Sequence, residues 1–175
     1  MISQVNSYRF LTDDTLLAQC RLDNYRGSGP GGQKRNKTSN AVRLVHEPTG
    51  LIVTATETRS LQENKSRAIK RMRLKLAAEI REPVDLLKFS PPDWLLEIRH
   101  NHRLDVSHRH PYYAATAGLI LDLFMVLGAN PADVAANLGV STTTVIKLLE
   151  DEPMFWMVAN KFRADAGLTP LTHRG

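Results

Sequence analysis

The segment best suited to chemistry is the loop GSGPGGQKRNKTSN, residues 27–40, where four glycines and one proline exclude regular structure. It contains the tripeptide Gly31-Gly32-Gln33. Lys34, Arg35 and Lys37 follow at once, and basic side chains of this kind can contact a phosphate backbone. A flexible connector is the alternative interpretation, because the tripeptide alone is weak evidence of function.

Positive charge is concentrated in one stretch of the chain. Residues 26–75 contain 12 Lys and Arg against 3 Asp and Glu, whereas residues 91–175 contain 7 against 9. The net charge of +9 in the first stretch is typical of a surface that binds a phosphate backbone. A solvated basic helix face is the alternative, and charge alone does not separate the two.

Other features exclude several classes of protein. Cys20 is the single cysteine of the chain, which rules out an internal disulfide framework and is typical of a reducing compartment. No apolar run approaches the roughly 20 residues of a membrane span. The first residues lack a signal or transit pattern, so we expect a cytoplasmic protein.

The elements around the loop predict an α+β fold. Thr12 is placed to cap a short helix over residues 13–19, and an extended segment follows at 20–26. Residues 41–46 and 51–58 have the composition of strands. The segment EPTG between them predicts the turn of an antiparallel hairpin.

A long basic helix follows the hairpin. Ser60 and Glu63 match a capping box at its start. Apolar residues then recur at helical spacing on one face, at Ile69, Met72, Leu76 and Ile80. We therefore predict a first domain over residues 1–88, in which a small antiparallel sheet packs on this helix.

The run from Tyr25 to Met72 resembles the peptidyl-tRNA hydrolysis domain of class I peptide chain release factors. The resemblance keeps one register over about 50 residues. The matching residues are Tyr25-Arg26, Gly31-Gly32-Gln33, Asn36, Thr38-Ser39, Ala41-Val42-Arg43, Pro48-Thr49-Gly50, Arg59-Ser60 and Asn64.

This resemblance implies a ribosome-dependent hydrolase of the ester that joins a nascent peptide to tRNA. Its partners would be the large ribosomal subunit, 23S-type ribosomal RNA and peptidyl-tRNA. Gly31, Gly32 and Gln33 would form the catalytic loop, in which the N–H of Gln33 stabilises a developing oxyanion. RNA contacts are expected from basic and polar residues of the loop and helix, namely Arg26, Lys34, Arg35, Asn36, Lys37, Arg59, Lys65, Arg67, Lys70, Arg71 and Lys75.

Prolines at 83, 91 and 92 mark a boundary, after which no strand pattern is convincing. We predict an all-α helical domain over residues 89–175. Its helices are expected at 93–100, 111–127, 131–138, 142–150 and 153–166, with Phe155, Trp156 and Phe162 in their core.

Residues 131–150 resemble a helix-turn-helix with Gly139 in the turn. A DNA-binding role would place Lys147 and the threonines at 142–144 in a major groove. The net charge of −1 in this segment argues against sequence-specific DNA binding, because phosphate attraction dominates affinity. We expect an interaction module instead, which docks on a protein, on the ribosome or on the first domain.

Two His-x-His pairs, His100 with His102 and His108 with His110, could bind zinc. No cysteine and no obvious closing carboxylate accompany them, and arginines are interspersed among them. We therefore favour RNA-facing or packing histidines and expect no metal and no cofactor.

The overall organisation resembles the short, codon-independent members of the family that rescue stalled ribosomes, such as the mitochondrial release factor in rescue and its bacterial relatives. We identify no counterpart of the codon-reading motifs Pro-x-Thr and Ser-Pro-Phe. The alternative function is a noncatalytic nucleic-acid-binding regulator that has kept the fold, although such a protein would have no need of Gln33.

Overall fold

A computed structural model describes residues 7–25 and 40–173. The chain divides into two compact units, Met1–Leu76 and Ala77–Gly175, and the division falls within a long helix. A small antiparallel sheet accompanied by helices confirms the predicted α+β class. The domain boundary after residue 88 stays a prediction. No helix in the described ranges is long and apolar enough to span a membrane.

The described part of the first unit starts with a 3₁₀ turn at Tyr8–Phe10, and helix α1 (Asp13–Ala18) follows it. The Thr12 hydroxyl caps α1 as expected, since it accepts from Thr15 N at 3.2 Å. Three antiparallel strands in the order β1-β2-β3 and one long helix follow. The elements are α1 (Asp13–Ala18), β1 (Cys20–Tyr25), β2 (Ala41–His46), β3 (Leu51–Ala55) and α2 (Leu61–Glu79).

Strand β2 is the central strand of the sheet and supplies much of the core. Val42, Leu44 and His46 are fully buried at alternate positions, whereas Arg43 is exposed. The predicted turn closes by a hydrogen bond from Gly50 N to His46 O at 2.8 Å. Gly50 has φ +72°, a conformation that a side chain would strain.

Strand β3 is shorter than predicted. We expected it to run to residue 58, but it ends at Ala55. The backbone N–H groups beyond this point bond to side chains: Thr56 N to the Glu57 carboxylate and Thr58 N to Asn64 Oδ1. These side-chain acceptors replace the pairing that would have extended the strand.

Helix α2 begins where the capping residue predicts, because Ser60 Oγ accepts from Glu63 N at 3.2 Å. Ile69, Met72 and Leu76 lie buried on one face of it. The helix ends at Glu79, so Ile80 lies just beyond it and is half-buried.

His46 is a buried polar residue in the first unit, and both ring nitrogens are hydrogen-bonded. Nε2 lies 3.0 Å from Gln19 Oε1 and Nδ1 lies 2.8 Å from the Thr49 hydroxyl. Since Gln19 Oε1 only accepts, Nε2 carries the hydrogen and Nδ1 accepts from Thr49. The edge of the Tyr8 ring packs against the imidazole with centroids 5.0 Å apart. Burial lowers the pKa of His46 from its ordinary value of 6.5, because the interior disfavours the charged form.

We expect the stability of the first unit to fall as the pH drops through 6.5. The unfolded chain then binds a proton that the folded His46 resists, so the free energy of unfolding decreases by at most about 1.4 kcal/mol per pH unit. Denaturant unfolding between pH 5 and 8 measures the slope. His46→Leu removes the titrating group and should flatten this slope even if it lowers stability at every pH. An unchanged slope in that variant would assign the pH dependence to other groups.

The second unit is mainly helical, with five helices and one small hairpin among its described residues. The helices are α3 (Asp93–Glu97), α4 (Tyr113–Val126), α5 (Pro131–Leu138), α6 (Thr142–Glu150) and α7 (Pro153–Asp165). Pro131 and Pro153 occupy first-turn positions as expected. Of the three aromatic residues expected in the core, Phe155 is fully buried and Trp156 and Phe162 are half-buried.

A hairpin replaces the end of the helix predicted at 93–100. Strands β4 (Arg99–His100) and β5 (Arg103–Leu104) pair antiparallel. Asn101 and His102 between them have φ +47° and +60°, which is the handedness of a tight two-residue hairpin turn. This hairpin was not predicted, because two-residue strands carry no readable alternation.

Helix α4 forms the core of the second unit, since every residue from Tyr113 to Phe124 is buried. Asp122 is the charged member of that run. It is 1% exposed and pairs with the Arg81 guanidinium at 3.1 Å, and its Oδ1 also accepts from Glu82 N at 3.1 Å. Arg81 donates further to the Gly118 carbonyl at 3.2 Å, so the segment after α2 is fastened to α4.

The segment predicted as a helix-turn-helix comprises α5, a turn at Gly139 and α6. Gly139 has φ +68°, and hydrogen bonds from Gly139 N to Ala136 O and from Val140 N to Ala135 O complete the helix end. A Cβ at Gly139 would lie 2.3 Å from the Arg99 guanidinium, which donates to Leu138 O at 2.9 Å. The backbone conformation thus favours glycine, and a side chain here would also displace the Arg99 guanidinium from its bond to Leu138 O.

Candidate functional site at the frame of the Gly-Gly-Gln loop

The predicted catalytic residues, Gly31, Gly32 and Gln33, lie outside the described residues. The same holds for Arg26, Lys34, Arg35, Asn36 and Lys37, and the roles expected of all eight stay predictions. The residues on either side of this segment are described. Tyr25 at the end of β1 pairs with Ala41 at the start of β2, so the sheet brings the two ends of the loop together.

Asn40, the last residue before β2, is held from two directions. Its carbonyl accepts from Asn64 Nδ2 at 2.7 Å, and its own Nδ2 donates to Arg59 O at 2.7 Å. Asn64 is fully buried in the first turn of α2. Its Oδ1 accepts from the N–H and the hydroxyl of Thr58, and its Nδ2 also donates to Thr58 O at 2.9 Å.

Four hydrogen bonds saturate the principal donor and acceptor positions of the Asn64 amide. The amide therefore joins three parts of the first unit: the end of the loop, the β3–α2 connection and the start of α2. In the sequence, Asn64 stands out only as a residue that matches the family, without a role, and neither Asn40 nor Thr58 was predicted to contribute. An asparagine early in a helix otherwise made of good helix formers was the available signal.

Two basic residues of α2 expected to contact RNA bond to the first unit itself. Arg71 donates to the carbonyl of Thr54 and to the carboxylate of Glu57, and Lys75 Nζ donates to Ile52 O at 3.1 Å. Strand β3 lies at the edge of the sheet, and these two carbonyls, two residues apart, share one side of it. Arg71 and Lys75 thus satisfy backbone acceptors at an open sheet edge.

The contact with Arg71 also sets the ionisation of Glu57. Desolvation acts to raise the pKa of this carboxyl group, but hydrogen bonds from Arg71 and from backbone N–H groups outweigh it and lower the pKa. The Arg71–Glu57 pair is partly exposed, with side chains 44% and 38% accessible, so its contribution to stability is small.

The remaining basic residues predicted for RNA contact in this part of the chain face solvent to different degrees. Arg59, Arg67 and Lys70 are exposed, and Lys65 is half-buried. Arg67 and Lys70 are three positions apart and therefore share a face of α2. Neither side chain forms a hydrogen bond or ion pair with another described residue. Their charges are consequently open to a partner, unlike those of Arg71 and Lys75.

The histidines predicted as possible ligands do not assemble into a metal site. Within residues 7–25 and 40–173, no three or more His, Cys, Asp or Glu side chains are grouped for a metal ion. His110 Nδ1 accepts from Tyr112 N at 3.1 Å, His102 Nδ1 donates to Gly139 O at 3.3 Å, and the His108 ring lies 4.5 Å from that of Tyr113. These three histidines have packing contacts within the second unit.

One sequence interpretation needs correction. The chain does contain a tripeptide of the form Pro-x-Thr, at residues 170–172, in a segment after α7 that has no regular secondary structure. Leu171 N donates to Asn160 Oδ1 at 2.7 Å, and Arg163 Nε donates to Thr169 O at 2.6 Å, so the segment is fastened to α7. The tripeptide lies after the Gly-Gly-Gln loop in the chain and is part of the second unit.

Comparison with known proteins identifies the family of residues 16–85. The RF-1 domain family matches residues 16–85, a range that includes both strands flanking the loop, the Gly-Gly-Gln tripeptide and α2. Residues 16–85 are a GGQ domain of the class I release factor family. The resemblance found in the sequence is thereby confirmed for these residues.

Relatives of this GGQ domain are whole release factors. The chain is 48% identical over 65 residues to peptide chain release factor 1 of Caulobacter vibrioides, covering 37% of this chain and 18% of the relative. It is 41% identical over 83 residues to peptide chain release factor 2 of Sulfurovum sp., covering 45% and 23%. It is 34% identical over 110 residues to peptide chain release factor 2 of Saccharopolyspora erythraea, covering 58% and 30%. The chain thus spans less than a third of the length of these relatives.

Proposed function

We propose that this protein hydrolyses peptidyl-tRNA in the peptidyl transferase centre of the large ribosomal subunit. The observation that carries the proposal is the Gly31-Gly32-Gln33 tripeptide inside the RF-1 match, between two strands that pair across the loop. A catalytic loop must be held at a defined place, and β1, β2 and Asn64 provide a rigid frame for its ends.

The chemistry follows from the residue types. Ester hydrolysis passes through a tetrahedral intermediate whose oxygen carries negative charge, and a donor placed there lowers the barrier. Glycines at 31 and 32 let the backbone approach RNA closely and present the Gln33 N–H. The Gln33 side chain can orient water but cannot accept a proton. The ribosomal RNA and the end of the tRNA would therefore supply the remaining catalytic groups.

The finer proposal is that release occurs without reading a codon, on stalled ribosomes or on large subunits that retain peptidyl-tRNA. The match to the RF-1 family ends at residue 85, and the residues beyond it fold as a helical unit of a different composition, with a net charge of −2 over residues 91–175. We assign that unit an interaction role, because it lacks the basic surface of the first unit. Thr144, one of the residues a DNA-binding role would require, hydrogen-bonds to Ser141 and to His102 O within the unit.

A release assay tests both levels of the proposal. The full chain is added to purified ribosomes that carry labelled peptidyl-tRNA, with a stop codon, a sense codon or no codon in the A site, and to large subunits carrying peptidyl-tRNA. Peptide release at a similar rate with and without a stop codon supports rescue. Release confined to stop codons would retain the hydrolase but reject codon independence. Ribosome or RNA binding without release from any complex would favour the noncatalytic regulator.

Neutralising Arg67 and Lys70 together is expected to weaken ribosome binding and to flatten its salt dependence by up to about two counterions, because these charges face solvent. Thermal stability should barely change. Binding measured between 50 and 200 mM salt gives the slope.

Arg71→Gln and Lys88→Gln are the matched controls for this measurement. Arg71→Gln should lower thermal stability, because it removes the bonds to Thr54 and Glu57. Lys88 is an exposed residue of the other unit, and Lys88→Gln should change neither thermal stability nor the salt dependence of binding. An unaltered salt slope in the Arg67/Lys70 double variant would show that this face of α2 is only solvated.

A further inference from the structure

The Asn64 amide and the backbone of Asn40 form a contact that a folded α+β domain does not need for its core. Helix α2 already has a cap at Ser60 and an apolar face of Ile69, Met72 and Leu76. Burying an amide side chain costs free energy when any of its hydrogen-bonding groups lacks a partner. All four hydrogen bonds of the Asn64 amide are formed. One of these bonds reaches the residue at which the loop rejoins the sheet.

We infer that Asn64 and Asn40 are positioning residues for peptide release, which fix where the Gly-Gly-Gln loop leaves the sheet. This inference rests on the proposed function. Asn40 is held at its carbonyl by Asn64 Nδ2 and at its side chain by Arg59 O, both at 2.7 Å. The other end of the loop is fixed by the pairing of Tyr25 with Ala41. Both ends of the loop are therefore held by the same sheet and by helix α2.

The two ends are fixed by different means. Ala41 and Tyr25 are held by the sheet itself, whereas Asn40 lies one residue outside β2, beyond the last paired position. The Asn64 and Arg59 contacts restrain the backbone carbonyl and the side chain of Asn40 at this position. A rotation there swings the preceding residues through a large arc, and displacements near 1 Å can cost about 100-fold in rate. The bond from Asn64 thus orients the backbone at Asn40, one residue beyond the last pair of the sheet.

The test is single-turnover peptide release at increasing concentrations of the full chain, for wild type and three variants. Asn64→Ala removes the hydrogen bond to the Asn40 carbonyl, and Asn40→Ala removes the bond to Arg59 O while the Asn40 carbonyl stays available to Asn64. Ser60→Ala is the matched control, because it deletes a hydrogen bond at the start of the same helix without touching Asn40. Unfolding curves establish a temperature at which every variant is folded.

We expect Asn64→Ala to lower the rate at saturation about 10-fold or more, and Asn40→Ala to lower it about 3-fold, with half-saturating concentrations unchanged. Ser60→Ala should lose stability but keep the wild-type rate. If Asn64→Ala does not fold, Asn40→Ala alone decides the matter. Folded Asn40 and Asn64 variants that release at the wild-type rate would overturn the positioning role, as would a Ser60→Ala rate lowered to the same extent.

Hydrogen exchange on the isolated chain separates this outcome from a failure of the proposed function. The Asn64 and Asn40 variants should accelerate exchange in peptides spanning residues 26–41, and Ser60→Ala should not. A wild-type chain that releases no peptide overturns the proposed function whatever the exchange shows. A wild type that releases peptide, beside variants with unaltered exchange and unaltered rate, overturns the positioning role alone.

Discussion

Gln33→Ala is expected to lower the rate of peptide release on the order of 10-fold or more while ribosome binding stays nearly intact. The side chain contributes little contact area, but under the proposed function it acts where the ester reacts, and single donors at such positions are worth about 100-fold to 1,000-fold. Single-turnover release at saturating protein measures the effect. Binding measured in parallel should differ from wild type by less than about 2-fold, because phosphate contacts dominate affinity.

A conservative and a distant variant make this test specific. Gln33→Asn keeps the amide but shortens its reach, and it should fall between wild type and Gln33→Ala. Gln62→Ala, an exposed glutamine in the first turn of α2, controls for loss of an amide elsewhere in the same unit. Release that is unchanged in Gln33→Ala would remove this side chain from the mechanism and leave the backbone N–H groups as the remaining candidates.

Asp122→Asn is expected to destabilise the second unit by about 3 kcal/mol, near the lower end of what losing one partner of a buried ion pair costs. Asp122 is 1% exposed and Arg81 15% exposed, so the guanidinium left without its carboxylate would keep a little hydration. Asparagine can still accept from Glu82 N, so the measured loss of stability reports the removed negative charge and not that hydrogen bond. Chemical denaturation followed by circular dichroism gives the free energy of unfolding.

Two further variants complete this measurement. Asp165→Asn, at an exposed position at the end of α7, should change stability by less than about 0.5 kcal/mol. The double change Arg81→Met and Asp122→Leu should recover much of the loss, because a buried pair replaced by apolar residues of similar volume is often as stable. If Asp122→Asn is as stable as wild type, the pair is dispensable and α4 holds its position by apolar packing alone.

The family was predictable from the sequence because its signals are local or keep a fixed register. Thr12 and Ser60 cap helices through bonds to residues three positions away, and the hairpin turn needs only the segment 47–50. Gly139 ends α5 through its own backbone conformation. The loop residues were recognised in the same way, by type and order.

The partners of particular side chains could not be predicted in this way. Nothing in the repeat of basic residues along α2 separates Arg71, which bonds to the edge of β3, from Lys70, which faces solvent. Adjacent residues of a helix point about 100° apart, so which of them meets the sheet depends on how the helix lies against it. The early end of β3 was missed because the side chains of Glu57 and Asn64 take the N–H groups of Thr56 and Thr58, and the hairpin at 99–104 was missed because its two-residue strands show no alternation.

The sequence by itself thus determined most of the secondary structure around the loop, the recognition of the Gly31-Gly32-Gln33 tripeptide and the concentration of positive charge, since these follow from short-range preferences, residue order and composition. The tertiary structure decided which charges remain open to a partner and which residues hold the end of the loop. Asn64 and Asn40 are 24 positions apart, and Asp122 is 40 positions from Glu82. Contacts at such separations form only when the chain folds, because no local periodicity encodes them.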